Sequence, residues 1–267
     1  MIALPPTWFV GCGNMAGAMV AGWRKADVDL SQAIAIRPSG FPVEGVRTVT
    51  ALPEGSPEFA ILGFKPQKLD EVAPALADKV GSGTILVSIL AGVEAESLRR
   101  RFPTARAIVR VMPNLPVSEG RGVVALFSPD ADAALRDRLA ALFEPLGAAI
   151  WTETEAGLAA IGALAGAGPA YVARFIAALA KAGEQRGLDS GTASKVALET
   201  VLGTALMAQA RGEGMADVAR RVASPNGTTE AGLAVLDADG ALDRLIAATI
   251  EAAARRGAQL AQEARKP

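Results

Sequence analysis

Histidine is absent from this chain of 267 residues. That absence removes the His-containing zinc sites, the Ser-His-Asp triad and the imidazole general base from consideration. Cysteine is nearly absent too. Cys12 stands alone, so no intrachain disulfide can form. This suits a reducing compartment, and a cytoplasmic location is expected. No metal site is expected from so poor a set of soft ligands. Neither sign of charge is in excess: Lys plus Arg number 27 and Asp plus Glu 28, a net charge of −1. Such a balance offers no attraction to nucleic acid or to an anionic lipid surface, and neither partner is expected.

Two stretches lack charge altogether. Met1 to Trp23 has no Lys or Arg and carries Pro5-Pro6 and several glycines, so it does not read as an export signal. Ala156 to Ala173 is mostly Ala and Gly around Pro169, weakly apolar for a lipid span. It reads instead as a buried helix packed closely on other helices.

What is present is a soluble globular composition, 51% hydrophobic and 21% charged, divided between two rhythms. Over residues 1–152, short apolar runs alternate with helical segments. The runs are Thr7–Val10, Ala33–Ile36, Phe59–Phe64, Thr84–Ile89 and Ala107–Val111; the helical segments include Gln67–Val80 and Val93–Arg101. Fully apolar short strands between helices indicate a doubly wound, mostly parallel sheet covered on both faces. A passage of Gly122–Phe127, Ala131–Phe143 and Ala148–Trp151 completes this half. Over residues 153–267 strand signals stop. Ala-rich helical spacing is broken at Gly187-Leu188-Asp189, Gly212-Glu213-Gly214, Ser224-Pro225-Asn226-Gly227 and Asp239-Gly240. This half reads as all-helical, with small apolar residues on more than one face, which a second subunit would bury.

The first strand runs into Gly11-Cys12-Gly13-Asn14-Met15-Ala16 and then into a helix from about Asn14 to Lys25. In this Gly-x-Gly-x-x-Ala pattern Gly11 permits the tight turn, Gly13 lets backbone approach a pyrophosphate, and Ala16 packs helix on strand. The helix N-terminus then offers N–H groups and its positive dipole end to phosphates. Backbone contact, not thiol chemistry, is expected of Cys12. The second strand ends in Arg37-Pro38-Ser39. An NAD site usually places Asp or Glu there; Arg37 with the Ser39 hydroxyl suits a 2′-phosphate, so NADPH is the expected cofactor, with NADH the alternative.

Six segments in order make the chain resemble the pyrroline-5-carboxylate reductase family along nearly its whole length. They are Gly11–Ala16, Phe64-Lys65-Pro66-Gln67, Ser88-Ile89-Leu90-Ala91-Gly92-Val93, Arg110-Val111-Met112-Pro113-Asn114-Leu115-Pro116, Gly166-Ala167-Gly168-Pro169-Ala170-Tyr171 and Ser224-Pro225-Asn226-Gly227-Thr228-Thr229. The resemblance implies an N-terminal Rossmann domain binding NADPH and a C-terminal helical domain interlocked with a partner subunit. The family's active site lies between the nicotinamide and the segment matching Ser224–Thr229 of that partner. A homodimer is implied, and the family admits further assembly of dimers. Lys65-Pro66 would line the nicotinamide-ribose end, with Ala91 and Asn114 also toward the cofactor. Arg221 could reach a phosphate across the dimer, or lie exposed on its helix. Tyr171 reads as a packed core residue. The chain departs from the family at Ala165 and Ala167, where Ser is usual, at Leu115, where Thr is usual, and at Asn226, where Gly is usual. Asn tolerates the left-handed backbone that such a turn needs.

Reduction of a C=N bond needs a hydride at carbon and a proton at nitrogen. A cyclic imine arrives partly protonated, so the missing histidine is no obstacle. The turn Ser224–Thr229 stands before a helical stretch, Glu230–Leu236. Its N–H groups, with the hydroxyls of Ser224, Thr228 and Thr229, could hold the substrate carboxylate. On the residues alone, those hydroxyls could equally cap the helix. The resemblance favours substrate binding by Ser224, Asn226, Gly227, Thr228 and Thr229, and makes Thr229 the candidate partner of the reacting ring. The expected activity is NADPH-dependent reduction of 1-pyrroline-5-carboxylate to L-proline. Two alternatives are a reductase of another cyclic imine or small hydroxyacid, and a non-catalytic NADP-binding module.

Overall fold

A computed structural model of the chain describes residues 2–265. Its residues group into two compact units. One takes in the residues up to Ala167 together with those from Ala253 onward, the other Gly168–Ala252.

The first unit is built on one eight-stranded sheet. Its strands are β1 (Thr7–Val10), β2 (Ala33–Ile36), β3 (Arg47–Val49), β4 (Phe59–Leu62), β5 (Ile85–Ser88), β6 (Ala107–Pro113), β7 (Gly122–Phe127) and β8 (Gly147–Trp151), in the order β3-β2-β1-β4-β5-β6-β7-β8. All neighbours pair in parallel except β6 and β7. Alternation of side chains explains the apolar runs. Phe9, Ile61, Val87 and Val109 face a core shared with α1 (Asn14–Lys25) and α4 (Ala133–Phe143). Trp8, Val10, Leu62 and Leu86 face a second core with α2 (Leu69–Ala77) and α3 (Ala95–Arg101). A strand buried on both faces has no room for a polar alternate, which is why these segments read as continuous hydrophobic runs. β3 lacks that signature. It is a three-residue edge strand with Arg47 exposed, and its sequence carries no apolar run.

Packing on the α1 face is tight. Trp23 is fully buried, its ring between Phe9 and Phe143 at centroid distances of 6.1 and 5.8 Å, and its indole N–H donates to the Leu142 carbonyl at 2.8 Å. One residue earlier, Gly22 lies against a 3-10 turn, Leu115–Glu119. A Cβ there would fall 2.0 Å from the Val117 carbonyl oxygen.

The second unit contains α6 (Gly168–Glu184), α7 (Ser190–Arg211), α8 (Met215–Val222) and α9 (Thr228–Asp237). The breaks read from the sequence fall where helices end. Asp189 caps α7 by accepting from the Thr192 N–H at 3.0 Å, and Gly212 closes it with φ +63°. Its small core joins α6 to α7 through Ala180, Ala193 and Ala197. A last helix, α10 (Ala241–Arg265), follows.

One expectation needs correction. Ala156–Ala173 is not buried within the single chain: of these residues only Leu158 is buried, and Tyr171 is half-buried, not packed in a core. The segment runs through α5 (Glu155–Ile161), a π-helical turn at Gly162–Gly166, and into α6. Large apolar side chains of α6 and α7, among them Val172, Phe175, Leu179, Val196, Leu202 and Leu206, are also exposed. The physical reason is that these helices carry more apolar faces than one chain can cover. By length and composition, the helical stretch Glu155–Glu184, with mean hydropathy 1.5, could cross a membrane.

The closeness of Gly22 to Val117 gives a direct test. Gly22→Ala forces α1 away from the Leu115–Glu119 turn and costs about 1–3 kcal/mol, as overpacked core positions do. Thermal denaturation should show a fall in Tm of several degrees; an unchanged Tm would show that the turn yields freely.

Candidate active site

The strand order reverses at β1. Connections run outward to β2 and β3 on one side and to β4, β5 and β6 on the other. In open parallel sheets the crevice beyond the carboxyl ends at such a reversal is where ligands bind. Two glycines make this crevice. Gly11 follows β1 with φ +74°, and a Cβ on it would lie 2.9–3.1 Å from the Cβ, N and Cα of Phe64. Gly63 follows β4, and its Cβ would meet the Gly11 oxygen at 2.5 Å. A side chain at either position would run into backbone of the neighbouring segment, so both must be glycine for the two backbones to cross this closely.

The turn feeds Gly13, the N-cap of α1, which makes no side-chain capping bond. Gly13 and Asn14 are exposed and Met15 is half-buried. A Cβ on Gly13 would approach only the Gly63 oxygen, at 3.9 Å, so space stands open above the backbone. The open donors of an uncapped helix start and the positive dipole end suit a pyrophosphate. The residues therefore fit a dinucleotide. Beside them opens a groove of about 370 Å³, lined by Cys12, Gly13, Asn14, Arg24, Arg37 and Glu44 among others. Another groove, of about 300 Å³ and lined by Ile2, Leu4 and Arg138 among others, involves residues that precede β1, at the amino edge of the sheet.

Arg37 is half-buried at the end of β2 and donates to the Phe41 carbonyl at 3.0 Å. Ser39 is exposed, and its hydroxyl oxygen accepts from the Phe41 N–H at 3.4 Å. Burial pushes the Cys12 thiol up to about 11, with nearby Arg37 pulling the other way. The thiol is thus protonated at neutral pH and poorly nucleophilic.

Lys65, Ala91 and Asn114 follow the carboxyl ends of β4, β5 and β6, on the same sheet edge as Gly11. Lys65 and Ala91 are exposed; Pro66 is half-buried and opens a 3-10 turn, Pro66–Lys68. Lys65 makes no ion pair among the described residues. Asn114 is different. It is 7% exposed, its Nδ2 donates to the Ala165 carbonyl at 3.0 Å, and its Oδ1 accepts from the Val123 N–H at 2.8 Å. Its amide ties β6, β7 and the π-helical turn together.

The loop carrying Ala91 is held by a partly buried ion pair. Arg110 of β6, 6% exposed, pairs with Glu155 at the start of α5. The other Glu155 oxygen accepts from the Ala95 N–H at 2.8 Å, at the start of α3. Arg110 also reaches the Leu90 carbonyl, at 3.5 Å, while its buried Nε has no partner among the described residues.

In the second unit the structure brings Ser224, Asn226, Gly227, Thr228 and Thr229 together at the start of α9. Asn226 has φ +58°, the left-handed backbone that its side chain tolerates. Gly227 is the N-cap, and no side chain caps the helix. Ser224 and the threonines are thus not spent as caps, and Thr229 is half-buried. Glu230 instead turns back to accept from the Asn226 N–H at 2.6 Å. Arg221 is held by Glu213 at 2.6 Å.

Sequence reasoning missed Arg24, Glu44 and the Arg110–Glu155 pair. Arg24 was findable. Asn14, Gly17, Ala21 and Arg24 follow helical spacing, so they share the stripe that lines the groove. Glu44 and Glu155 had no such signal, because each meets its arginine across separate elements.

Comparison with known proteins agrees with this geometry. Residues 155–260 match the family model for pyrroline-5-carboxylate reductase dimerisation. The pyrroline-5-carboxylate reductase of Pseudomonas aeruginosa is 34% identical over 98% of this chain and 99% of its own. A Coxiella burnetii pyrroline-5-carboxylate reductase structure superposes with a TM-score of 0.87 at 30% identity, covering 98% and 99% of the two chains. A Plasmodium falciparum pyrroline carboxylate reductase, solved with NADP bound, shares the fold at 22% identity and a TM-score of 0.83, over 98% and 100%. The chain belongs to the pyrroline-5-carboxylate reductase family.

Proposed function

We propose that this protein reduces 1-pyrroline-5-carboxylate to L-proline with NADPH. The observation that carries the reading is the uncapped start of α1, opened by glycines at the reversal of strand order, in a member of this family. When bound, NADPH supplies the hydride that the imine carbon accepts. The chain's own residues bind and orient. The α1 N-terminus with Gly11, Cys12, Gly13, Asn14 and Met15 takes the pyrophosphate through backbone. Arg37 and Ser39 take the 2′-phosphate, and Lys65, Pro66 and Ala91 border the nicotinamide ribose. Asn114 acts by fixing the end of β6, since its amide already serves two backbone partners.

The substrate carboxylate goes to the N–H groups and hydroxyls of Ser224–Thr229. Thr229 holds the ring nitrogen or carboxylate in line with the cofactor. The nitrogen needs no strong acid from the protein, because a cyclic imine is already basic enough to carry its proton. This division of labour fits a chain with no histidine and a Cys12 thiol held neutral by burial.

The working form is a homodimer. The exposed apolar faces of α6 and α7, on a segment matching a dimerisation model, favour a second copy of the chain over a bilayer as what covers them. Cytoplasmic localisation is part of the same reading.

Two observations favour a second substrate class, imines without a carboxylate. Glu230 brings a negative charge to the start of α9. Ala165, Ala167 and Leu115 supply no hydroxyl. Oxidation of NADPH with a panel of cyclic imines separates the two readings. Turnover with pyrroline-5-carboxylate supports the first; activity confined to carboxylate-free imines replaces it with the second.

Thr229→Ala should lower kcat at least tenfold, about 1.4 kcal/mol in the barrier, with NADPH affinity unchanged; wild-type kinetics would take Thr229 out of the mechanism. Light scattering should give twice the chain mass of 27.3 kDa or a multiple of that. A fully active species at the single-chain mass would contradict the shared dimer.

A further inference from the structure

The groove beside α1 contains a second arginine that the binding scheme above leaves unused. Arg24 lies ten residues beyond Asn14 on the same helical stripe, about 15 Å along the axis. Its side chain returns toward the groove and is held there by two features. Its Nη2 donates to the Glu44 carboxylate at 2.6 Å. Its stem crosses Gly45, where φ is +81° and a Cβ would lie 2.4 Å from Arg24 Cδ and 2.6 Å from Nε. A side chain at position 45 would displace the arginine from that path. Arg37 lines the same groove from β2, and the 42–44 segment forms its outer wall.

We propose that Arg24 and Glu44 form a charge-sensing pair that sets the preference of this groove for a 2′-phosphorylated adenosine. The inference rests on the reading that the groove takes the adenosine end of NADPH. Two guanidinium groups bordering one cleft suit a dianionic phosphate better than a neutral hydroxyl. As the structure stands, Glu44 neutralises Arg24. A 2′-phosphate, carrying close to two negative charges at neutral pH, competes with that single carboxylate for the guanidinium. A 2′-hydroxyl has no charge to compete with. Glu44 therefore weakens the hold on the phosphorylated cofactor while keeping Arg24 extended, and it leaves binding of the unphosphorylated nucleotide nearly untouched.

Binding of adenosine 2′,5′-bisphosphate and of 5′-AMP to the intact protein, measured by calorimetry, tests this without turnover. Arg24→Ala should weaken the bisphosphate at least fivefold and leave AMP within twofold. Gly45→Ala should do the same by displacing Arg24. Glu44→Gln should tighten the bisphosphate severalfold and leave AMP unchanged. Loss of both ligands in equal proportion, or of neither, in Arg24→Ala overturns the proposal. Arg37→Ala tells which reading has failed. If it weakens the bisphosphate selectively while Arg24→Ala does not, the groove is the adenosine site and the Arg24–Glu44 pair is not its sensor. If neither substitution discriminates, the adenosine reading of the groove falls as well.

Discussion

The contact on which the site depends is the crossing of two backbones at the carboxyl ends of β1 and β4. Gly11 and Gly63 meet there with no side chain between them, and Ala16 closes the third side. A methyl on either glycine would push the strands apart or tip α1 off the sheet. With the crossing in place, the first turn of α1 stands over the reversal of strand order, and its unpaired donors face the crevice. The buried, close-packed anchoring of Trp23 and Gly22 at the other end of the same helix keeps that aim fixed. A flexible ligand can then be held by rigid backbone, which loses little entropy on binding.

The helical half follows a different economy. Its cores within one chain are small, three buried alanines between α6 and α7, while its large apolar side chains face outward. Alanine-rich helices approach closely but bury little area each. Such a unit gains its stability by packing across a chain boundary. A second copy covering those faces would couple the folding of this half to association.

Much of this was legible beforehand, and the exceptions have physical causes. The inner strands β1, β4, β5 and β6 announced themselves because both faces are buried. β3 did not, because an edge strand of three residues needs no apolar run. The glycine turn, the left-handed Asn226 and the helix breaks were readable because backbone conformation restricts residue type locally. The burial of Ala156–Ala173 was misjudged, since periodicity reports that a face is apolar without saying which molecule covers it. The pairings of Arg24 with Glu44 and of Arg110 with Glu155 were invisible, because an ion pair formed across separate elements leaves no pattern along the chain.

The Arg110–Glu155 pair carries a consequence for how the protein could be divided. Glu155 sits beyond the last strand, yet its carboxylate neutralises the buried Arg110 of β6 and holds the amide that starts α3. An excised nucleotide-binding half ending at residue 152 would leave that cation without its carboxylate and the start of α3 without its acceptor. Evolutionary shuffling of such halves would have to carry the first turn of α5 along, or replace the arginine at the same stroke.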